Sequence, residues 1–334
     1  VTEAITGVDL VEWQLRVASG EALPARQDDL SITGHAFEAR LYAEDVPAGF
    51  LPATGVIDHL DFPDDARIDS GVTAGDEISP WYDPMIAKVT VHGPERARAL
   101  QALSAALDAT QVAGTVTNLG FLRRLSRAPE FVSGDVDTDL IARHSDMLCV
   151  APAPTPKEIA IAAVTAAKLV DDPMTGFNLW GPMPRQMTLR QGDDDLSVVL
   201  QVKTATDCDV KVGDTLVSLQ RRGRSWGMPA TLHNARVTVF GVDSITFDIV
   251  NPLDRADTML GGDTVLAPMP GLVRDVAVAV GQSVQEGDRL VVLEAMKMEH
   301  VLRAPRNGVI AAVTVATGDQ VTAGALMVSL EEEA

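Results

Sequence analysis

The C-terminal part of the chain repeats its own pattern at a fixed offset of 37 positions. Small residues fall on small residues and apolar residues on apolar residues, without a gap. Neither half, at roughly 30 residues, is long enough to bury a core alone, so the two halves must share one. The repeat therefore predicts an all-β sandwich with internal two-fold symmetry. The twelve matched pairs are Ala267/Ala304, Pro268/Pro305, Gly271/Gly308, Val273/Ile310, Val276/Val313, Gly281/Gly318, Val284/Val321, Gly287/Gly324, Leu290/Met327, Val291/Val328, Leu293/Leu330 and Glu294/Glu331.

Each half contains short runs that favour β-strands, such as residues 272–280 and 289–293. The glycines between the runs suit tight turns, because glycine adopts positive φ without a steric cost. We expect strands of these lengths with glycine turns at matched positions in both halves.

The segment that joins the two halves has Lys297 at its centre, between Met296 and Met298. Lys297 is the only lysine after Lys211, and the other basic residues beyond residue 213, apart from histidine, are arginines, which cannot be acylated. A hairpin tip is easily reached by another protein. Lys297 is therefore predicted to be an attachment point. The alternative is a solvated turn lysine with two packing methionines, which the central position in the repeat disfavours.

Residues 265–331, with the motif Ala295-Met296-Lys297-Met298, resemble the biotinyl carrier domain of biotin-dependent carboxylases. Lipoyl carriers share the fold but usually place aspartate before the lysine and a small residue after it, so the two methionines favour biotin. The resemblance implies that a biotin protein ligase attaches biotin covalently to Lys297. A tethered cofactor then has an effective concentration on the order of millimolar at its target.

The middle of the chain begins with a proline-rich linker, residues 150–156, which disfavours regular structure. Thr155, Pro156 and Glu158 then predict a capped helix start, and we expect a helix over 156–170. A narrow apolar stripe along it, including Ile159, Val164 and Val170, suggests that the helix inserts into a barrel.

Residues 187–250 alternate in a way typical of short antiparallel strands, and they predict a small β-barrel. The expected strands are 196–202, 215–219, 235–240 and 244–249, with turns at Gly192, Gly213, Gly223 and Gly241. Residues 251–252 and 261–262 would form a hinge. A helix and barrel at this place resemble the domain that holds the subunits of acyl-CoA carboxylases together, although a spacer without chemistry is the alternative.

The first 147 residues mix both patterns and indicate an α+β unit, with helices over 9–18 and 95–108 and strands over 35–41 and 85–91. Several segments resemble the C-terminal subdomain of biotin carboxylase. They are residues 1–11, 35–45, 50–52, 67–71, 81–88 and 117–118.

Arg40 is the arginine of the family's His-Ala-x-Glu-x-Arg motif. The resemblance implies that Arg40 stabilises the enolate that forms on the ureido oxygen of biotin during carboxylation. A fixed cation aimed at developing negative charge contributes roughly 2.7–4 kcal/mol, by analogy with one oxyanion donor. The alternative is a surface ion pair of Arg40 with Glu38, Glu44 or Asp45.

The 47 acidic and 27 basic residues give a net charge of -20, which disfavours nucleic acids and anionic membranes as partners. Two isolated cysteines, Cys149 and Cys208, lack metal-ligand spacing and favour a reducing compartment, with both as buried small side chains. With no long apolar stretch, we expect a soluble protein, cytoplasmic in a bacterium or in the mitochondrial matrix of a eukaryote. No metal site is predicted.

The sequence starts at Val1 inside a patterned segment and carries no glycine-rich phosphate loop, which favours a fragment without the ATP-binding half. We expect three domains: a biotin carboxylase C-terminal subdomain (1–147), a linker, helix and barrel for subunit interaction (148–262), and a biotinyl carrier (263–334). The resemblance implies a ligase, the α subunit of a biotin-dependent acyl-CoA carboxylase. In the complete subunit, ATP, Mg²⁺ and bicarbonate would serve carboxylation of biotin.

A separate carboxyltransferase β subunit would bind the acyl-CoA, so a hetero-oligomer is expected. Glu299-His300 after the motif is most similar to 3-methylcrotonyl-CoA carboxylases, whereas propionyl-CoA carboxylases more often have Gln-Asn. Propionyl-, geranyl- and acetyl-CoA remain alternatives, as does a carrier scaffold without catalytic function.

Overall fold

The computed structural model of the chain describes residues 1–169, 172, 174–223, 225–251, 264–295 and 298–331. The chain divides into two compact units. The first comprises residues 1–50, 57–76 and 85–252, and the second comprises residues 51–56, 77–84 and 253–334.

Seven helices and nine strands occur before residue 150, as the α+β pattern predicts. The helices are α1 (Thr2–Thr6), α2 (Leu10–Ala18), α3 (Arg96–Ala109), α4 (Leu119–Leu125), α5 (Pro129–Ser133), α6 (Leu140–Arg143) and α7 (Ser145–Leu148), with a 3-10 turn at Gln27–Asp29. The strands are β1 (His35–Tyr42), β2 (Glu44–Asp45), β3 (Leu51–Pro52), β4 (Gly55–Val56), β5 (His59–Asp61), β6 (Arg67–Ser70), β7 (Glu77–Ile78), β8 (Met85–Gly93) and β9 (Gln111–Ala113).

The predicted helices and strands of this region are confirmed to within two residues. Helix α2 begins after Asp9, whose carboxylate caps it by accepting a hydrogen bond of 2.9 Å from the Glu12 amide. The central sheet is antiparallel in the order β1-β8-β6. Its buried face includes Leu41, Val89 and Val91, and α3 packs against β1 and β8. Side chains alternate across strands, so the opposite face is polar.

The described residues of the middle region form one helix and seven strands. They are α8 (Pro156–Ala166), β10 (Pro184–Gln191), β11 (Asp194–Val202), β12 (Asp207–Val212), β13 (Thr215–Gln220), β14 (Ala230–His233), β15 (Arg236–Phe240) and β16 (Ser244–Val250). The strands form one antiparallel sheet in the order β13-β12-β11-β10-β16-β15-β14. The predicted barrel is therefore an open half-barrel, and three of its strands, β10, β12 and β14, were not predicted.

Helix α8 lies inside this half-barrel and contacts at least six of its seven strands. The predicted start is confirmed: the Thr155 hydroxyl accepts from the Glu158 amide at 3.3 Å, and the Glu158 carboxylate accepts from the Thr155 amide at 2.8 Å. The predicted narrow stripe is wrong, because residues 158–164 are all buried. A curved sheet covers the helix on several sides, whereas a flat one covers a single face. The helix ends at Ala166, and Val170 lies outside the described residues.

The repeat region forms two four-stranded antiparallel sheets, in the orders β17-β24-β22-β19 and β21-β20-β18-β23. The 37-residue offset maps β18 onto β22 and β19 onto β23 residue for residue, and each sheet takes two strands from each half. The halves are thus interlocked around one shared core, which confirms the predicted two-fold sandwich. The strands are β17 (Thr264–Leu266), β18 (Gly271–Val276), β19 (Ser283–Val284), β20 (Arg289–Ala295), β21 (Met298–Arg303), β22 (Gly308–Val313), β23 (Gln320–Val321) and β24 (Leu326–Leu330).

The turns of this sandwich repeat as well. Gly281 and its counterpart Gly318 have φ of 82° and 95°, and Gly287 and Gly324 have φ of 88° and 76°. Side chains rarely tolerate this conformation, so glycine is needed at both copies. The strand predicted over 272–280 is shorter than expected and ends at Val276, ahead of the Gly281 turn. The predicted hinge residues from 252 to 262 lie outside the described part of the chain.

Candidate functional site

The first candidate site is the polar face of the sheet β1-β8-β6, which carries Arg40. The strand register places Arg40 directly opposite Lys88, and Lys88 directly opposite Asp69. A second row, two residues along, consists of Glu38, Thr90 and Arg67. Because directly opposed residues point to the same side of a sheet, six polar side chains share this face.

Ion pairs connect this face. Arg40 Nε lies 3.4 Å from Glu38 Oε1, and Lys88 Nζ lies 3.7 Å from Asp69 Oδ2. Arg67 contacts Asp69 at 3.3 Å and, from helix α1, Glu3 at 2.5 Å. Each cation therefore has a carboxylate neighbour, although the Arg40 side chain is 62% exposed.

The charged partners shift the protonation equilibria of this face. Hydrogen bonds to Tyr42 and Glu38 raise the pKa of Arg40 above its usual value. The hydrogen bond from Arg67 lowers the pKa of Glu3, which also accepts from the Leu10 amide at 2.9 Å. Arg40 is therefore a permanent cation whose head group is open to solvent.

A cavity of about 330 Å³ lies over the same face. Glu38, Arg67, Asp69, Lys88 and Thr90 line it, together with residues of α1 and α2, whereas Arg40 is not among its lining residues. Arg40 was predicted as a site residue, whereas Lys88 was not. The alternation of residues 85–91 could have identified Lys88, since it falls on the opposite face from Val89 and Val91.

The second candidate site is the hairpin of β20 and β21 in the repeat region. The register closes at Ala295 opposite Met298, so a two-residue connection, Met296 and Lys297, joins the strands. Both connecting residues, and the side chain of Met298, lie outside the described part of the structure. Just below, Glu294 forms an ion pair with Arg274, and Ala295 is 2% exposed. The hairpin is therefore packed on the sandwich up to its last described residue.

This hairpin has the form that covalent attachment of a cofactor requires. A long prosthetic group on the Lys297 amine needs a short connection at the end of a rigid element, so that a ligase can reach it. The strands flanking the connection belong to the shared core of the sandwich, through Leu293 on β20 and the partly buried Leu302 on β21. The described residues thus fit a covalent carrier.

His300 is an unusual group on β21, opposite the buried Leu293. Its Nε2 atom is buried and has no hydrogen-bond partner among the described residues. Burial lowers the pKa of His300, because the charged imidazolium would lose its hydration there. The sequence analysis used His300 only as a family discriminator.

The cysteines have no part in either site. Cys208 is buried in the half-barrel, and burial together with Asp207 and Asp209 raises its pKa to about 11. Cys149 is half-buried rather than buried as predicted. Within the described part of the chain, no cluster of three metal-binding side chains occurs. None of the described helices has the length and apolar character needed to cross a membrane.

Comparison with known proteins identifies two domains. Residues 38–143 match the biotin carboxylase C-terminal domain, and residues 263–330 match the domain described as biotin-requiring enzyme. The chain therefore contains a domain of each kind.

Full-length relatives align over most of the chain. The α subunit of mitochondrial methylcrotonoyl-CoA carboxylase is 34% identical in Dictyostelium discoideum and 35% identical in Mus musculus, over 91% of this chain and 50% and 48% of theirs. The propionyl-CoA carboxylase α chain of Ruegeria pomeroyi is 34% identical, over 91% of this chain and 52% of its own. The chain spans about half the length of these relatives.

Proposed function

We propose that this chain, in which a biotin carboxylase C-terminal domain and a biotin-requiring-enzyme domain are joined by a helix-filled half-barrel, is part of the α subunit of a biotin-dependent acyl-CoA carboxylase. The observation that carries the proposal is the combination of the interlocked repeat with a two-residue connection containing Lys297. We also propose the three-domain division at residues 147 and 262.

In this proposal the Lys297 amine is the attachment point for biotin, with Met296 and Met298 on either side of it. Bound biotin supplies a ureido nitrogen that accepts and later releases a carboxyl group. The sandwich places the hairpin at its surface. No second lysine of this domain competes for attachment, because Lys297 is the only lysine beyond Lys211. ATP, Mg²⁺ and bicarbonate would be used by the complete subunit.

Arg40 would stabilise negative charge that develops on the carboxyl acceptor. The β1-β8 pairing fixes its backbone, and its guanidinium remains charged and open to solvent. Lys88, directly opposite on the same face, adds positive potential, while Asp69 and Glu38 limit it. A cation fixed in advance costs little reorganisation when charge develops.

The half-barrel would bind the carboxyltransferase β subunit, and an exposed apolar segment supports this. Residues 174–183 precede β10, and Leu179 and Trp180 are 82% and 95% exposed. Gly176 holds the segment against the end of β11, because a Cβ atom there would lie 2.9 Å from the Val202 carbonyl oxygen. Large exposed apolar side chains on an anchored loop are typical of protein interfaces. The segment also exposes Met174, Phe177 and Met183.

We propose 3-methylcrotonyl-CoA as the acyl-CoA carboxylated by the complete hetero-oligomer, with propionyl-, geranyl- and acetyl-CoA as alternatives. Glu299-His300 and the names of the methylcrotonoyl-CoA carboxylase relatives support the first, and the Ruegeria pomeroyi relative supports propionyl-CoA. The mitochondrial relatives suggest the matrix in a eukaryote, and the bacterial cytoplasm is the corresponding proposal in a bacterium.

A carrier scaffold without catalytic function is the second candidate. The contact of Arg40 with Glu38 at 3.4 Å favours it, because a surface ion pair needs no catalytic role. Substitution of Arg40 separates the two candidates, because only the enzyme needs its charge for carboxylation.

The test of the proposal is biotin attachment at position 297. We expect intact mass spectrometry of the chain, made in biotin-replete cells with an active ligase, to show one biotin adduct and a streptavidin signal. Lys297→Arg should abolish both, since arginine keeps the charge but offers no acylable amine. Lys211→Arg, the nearest preceding lysine, is the matched control and should keep the adduct. Absence of an adduct in the unmodified sequence, or its persistence in Lys297→Arg, would contradict the proposal.

A further inference from the structure

The turn between β15 and β16 is clamped by two consecutive arginines of helix α4. Arg123 is 1% exposed, yet its side chain carries a full positive charge. Arg124 is half-buried beside it. Arginine is almost never fully buried unless it is paired, so this burial needs an explanation.

All five N–H donors of Arg123 are used, and each one reaches a backbone carbonyl. Three bonds, of 2.9, 3.3 and 2.9 Å, run to Leu107, Asp108 and Thr110 at the C-terminal end of helix α3. The other two, of 3.1 and 2.8 Å, run to Gly241 and Val242 in the β15–β16 turn. A helix C-terminus carries partial negative charge, which explains why a buried cation is tolerated there. Arg123 thus ties the turn to α3.

Arg124 makes a second tie to the same turn. Its Nη1 atom lies 2.8 and 3.0 Å from the two carboxylate oxygens of Asp243, and its Nε atom donates to the Leu148 carbonyl at 3.1 Å. Gly120 makes room for this pair, because a Cβ atom at that position would lie 1.9 Å from Asp243 Oδ1. We call Arg123, Arg124 and residues 241–243 the clasp.

Two further contacts join the half-barrel to the carboxylase subdomain. The rings of His59 and Phe240 lie 5.3 Å apart, and His233 Nε2 lies 3.4 Å from Asp58 Oδ1. They join the end of β15 beside the clasp, and the far end of β14, to strand β5 and the residue before it. Strand β16 also contacts β9, so the half-barrel meets the carboxylase subdomain through the clasp and through β5 and β9, all inside the first compact unit.

One strand connects the clasp to the segment that leads to the carrier domain. Strand β16 begins at Ser244, directly after the clasp, and ends at Val250. It is hydrogen-bonded between β10 and β15 in the sheet. A shift of the β15–β16 turn would therefore move β16 and, with it, residue 251. The segment that leads to the carrier domain starts there, and β17 begins at Thr264.

We propose that Arg123 and Arg124 are positioning residues for carboxylation of the carrier, because the clasp fixes the point from which the carrier's tether starts. The inference rests on the proposed function. The effective concentration of a tethered group depends steeply on where the tether is rooted and how far it must reach. Opening the clasp leaves the carboxylation chemistry intact, but it lowers the frequency at which the carrier reaches the site of carboxylation.

The test uses the complete, biotinylated α subunit and compares two reactions of the same protein. The first is ATP-dependent carboxylation of free biotin, which needs no tether. The second is ATP-dependent incorporation of labelled bicarbonate into the subunit's own carrier. We expect Arg124→Gln and Asp243→Asn to lower the second rate roughly tenfold, within the range that tethering spans, and to leave the first within about twofold. Arg124→Lys, which keeps a cation beside Asp243, should restore most of the second rate.

Arg127→Gln is the matched control, since it removes an exposed ion pair with Asp108 and leaves the β15–β16 turn untouched. Equal carrier labelling in all variants would overturn the proposal. A parallel loss of both reactions would also overturn it, because this would indicate damage to the carboxylase subdomain. Failure of the proposed function looks different: the unsubstituted subunit would then carry no biotin or incorporate no label.

Discussion

Arg40 and His300 are charged or ionisable residues at the two candidate sites, and their surroundings differ. Arg40 is exposed and held by two neighbours on its own strand, Glu38 and Tyr42. The imidazole of His300 faces a sandwich that offers its Nε2 atom no partner among the described residues. The surroundings of Arg40 stabilise its positive charge, whereas the surroundings of His300 favour the neutral imidazole.

Replacing Arg40 by alanine in the complete subunit should reduce biotin carboxylation by a factor on the order of 100 to 1,000, the cost of removing one fixed donor from a charge-stabilising site. Attachment of biotin should be unaffected, because Arg40 and the carrier hairpin belong to different compact units. The measurement is ATP-dependent carboxylation, with streptavidin blotting in parallel. Arg98→Ala, an exposed arginine on α3, should change neither. An unchanged carboxylation rate in Arg40→Ala would favour the scaffold function.

The carrier sandwich should lose stability in mild acid through His300. Its pKa is lowered in the folded state, so the unfolded chain binds the extra proton more readily. The contribution is fully present above the ordinary pKa of 6.5 and is lost as the pH falls below that value towards the folded-state pKa. Thermal unfolding at pH 7.5 and 5.5 should therefore show a larger drop in Tm for the natural sequence than for His300→Gln. Equal drops would show that His300 does not titrate differently on folding.

The elements of the repeat region could be predicted from sequence because two copies of one pattern constrain each other. Matched glycines indicated the turns, and the runs 272–280 and 289–293 indicated β18 and β20, although β18 ends earlier, at Val276. The hairpin that carries Lys297 followed from the same symmetry. Strand β20 could be predicted as a continuous apolar run, because Leu290, Val291, Val292 and Leu293 are all buried.

The half-barrel was harder to predict, for reasons that lie in single strands. In β12, Cys208, Val210 and Val212 alternate with charged residues, a usable signal that was overlooked. By contrast, β10 has few apolar residues and β14 has four residues in all, too little for a pattern. The burial of α8 on all sides and the burial of Arg123 depend on how the sheet curves and which turn meets α4. Both depend on tertiary packing, which the local sequence does not indicate.

The capping box of α8 should contribute measurably to stability. Thr155→Ala removes the acceptor for the Glu158 amide and should cost about 1 kcal/mol of unfolding free energy. The loss should be visible in denaturant unfolding of the half-barrel, because α8 forms the centre of its core. Thr155→Ser keeps the hydroxyl and should retain most of the stability. Equal stability of the alanine and serine variants would indicate that the cap contributes nothing.

In the whole molecule, the net negative charge opposes association with other copies of the chain, whereas the exposed apolar segment 174–183 favours association. A net charge of -20 keeps copies of the chain apart, and charged surfaces rarely associate without a complementary partner. Exposed Leu179 and Trp180 nevertheless create an apolar patch on the half-barrel. Such a patch fits the partner surface that we propose for the half-barrel.

The last prediction tests that surface. Trp180→Ser should weaken association of the complete chain with the proposed carboxyltransferase partner by about 2 kcal/mol or more, roughly a thirtyfold rise in Kd, because buried tryptophans dominate interface energies. Analytical ultracentrifugation of the mixed subunits measures this directly. Leu216→Ser is the matched control, since Leu216 is 63% exposed on β13 of the same half-barrel but lies outside the segment. Biotin attachment should persist in both variants. Undiminished association of Trp180→Ser, or equal weakening by Leu216→Ser, would place the partner's binding surface elsewhere on the half-barrel.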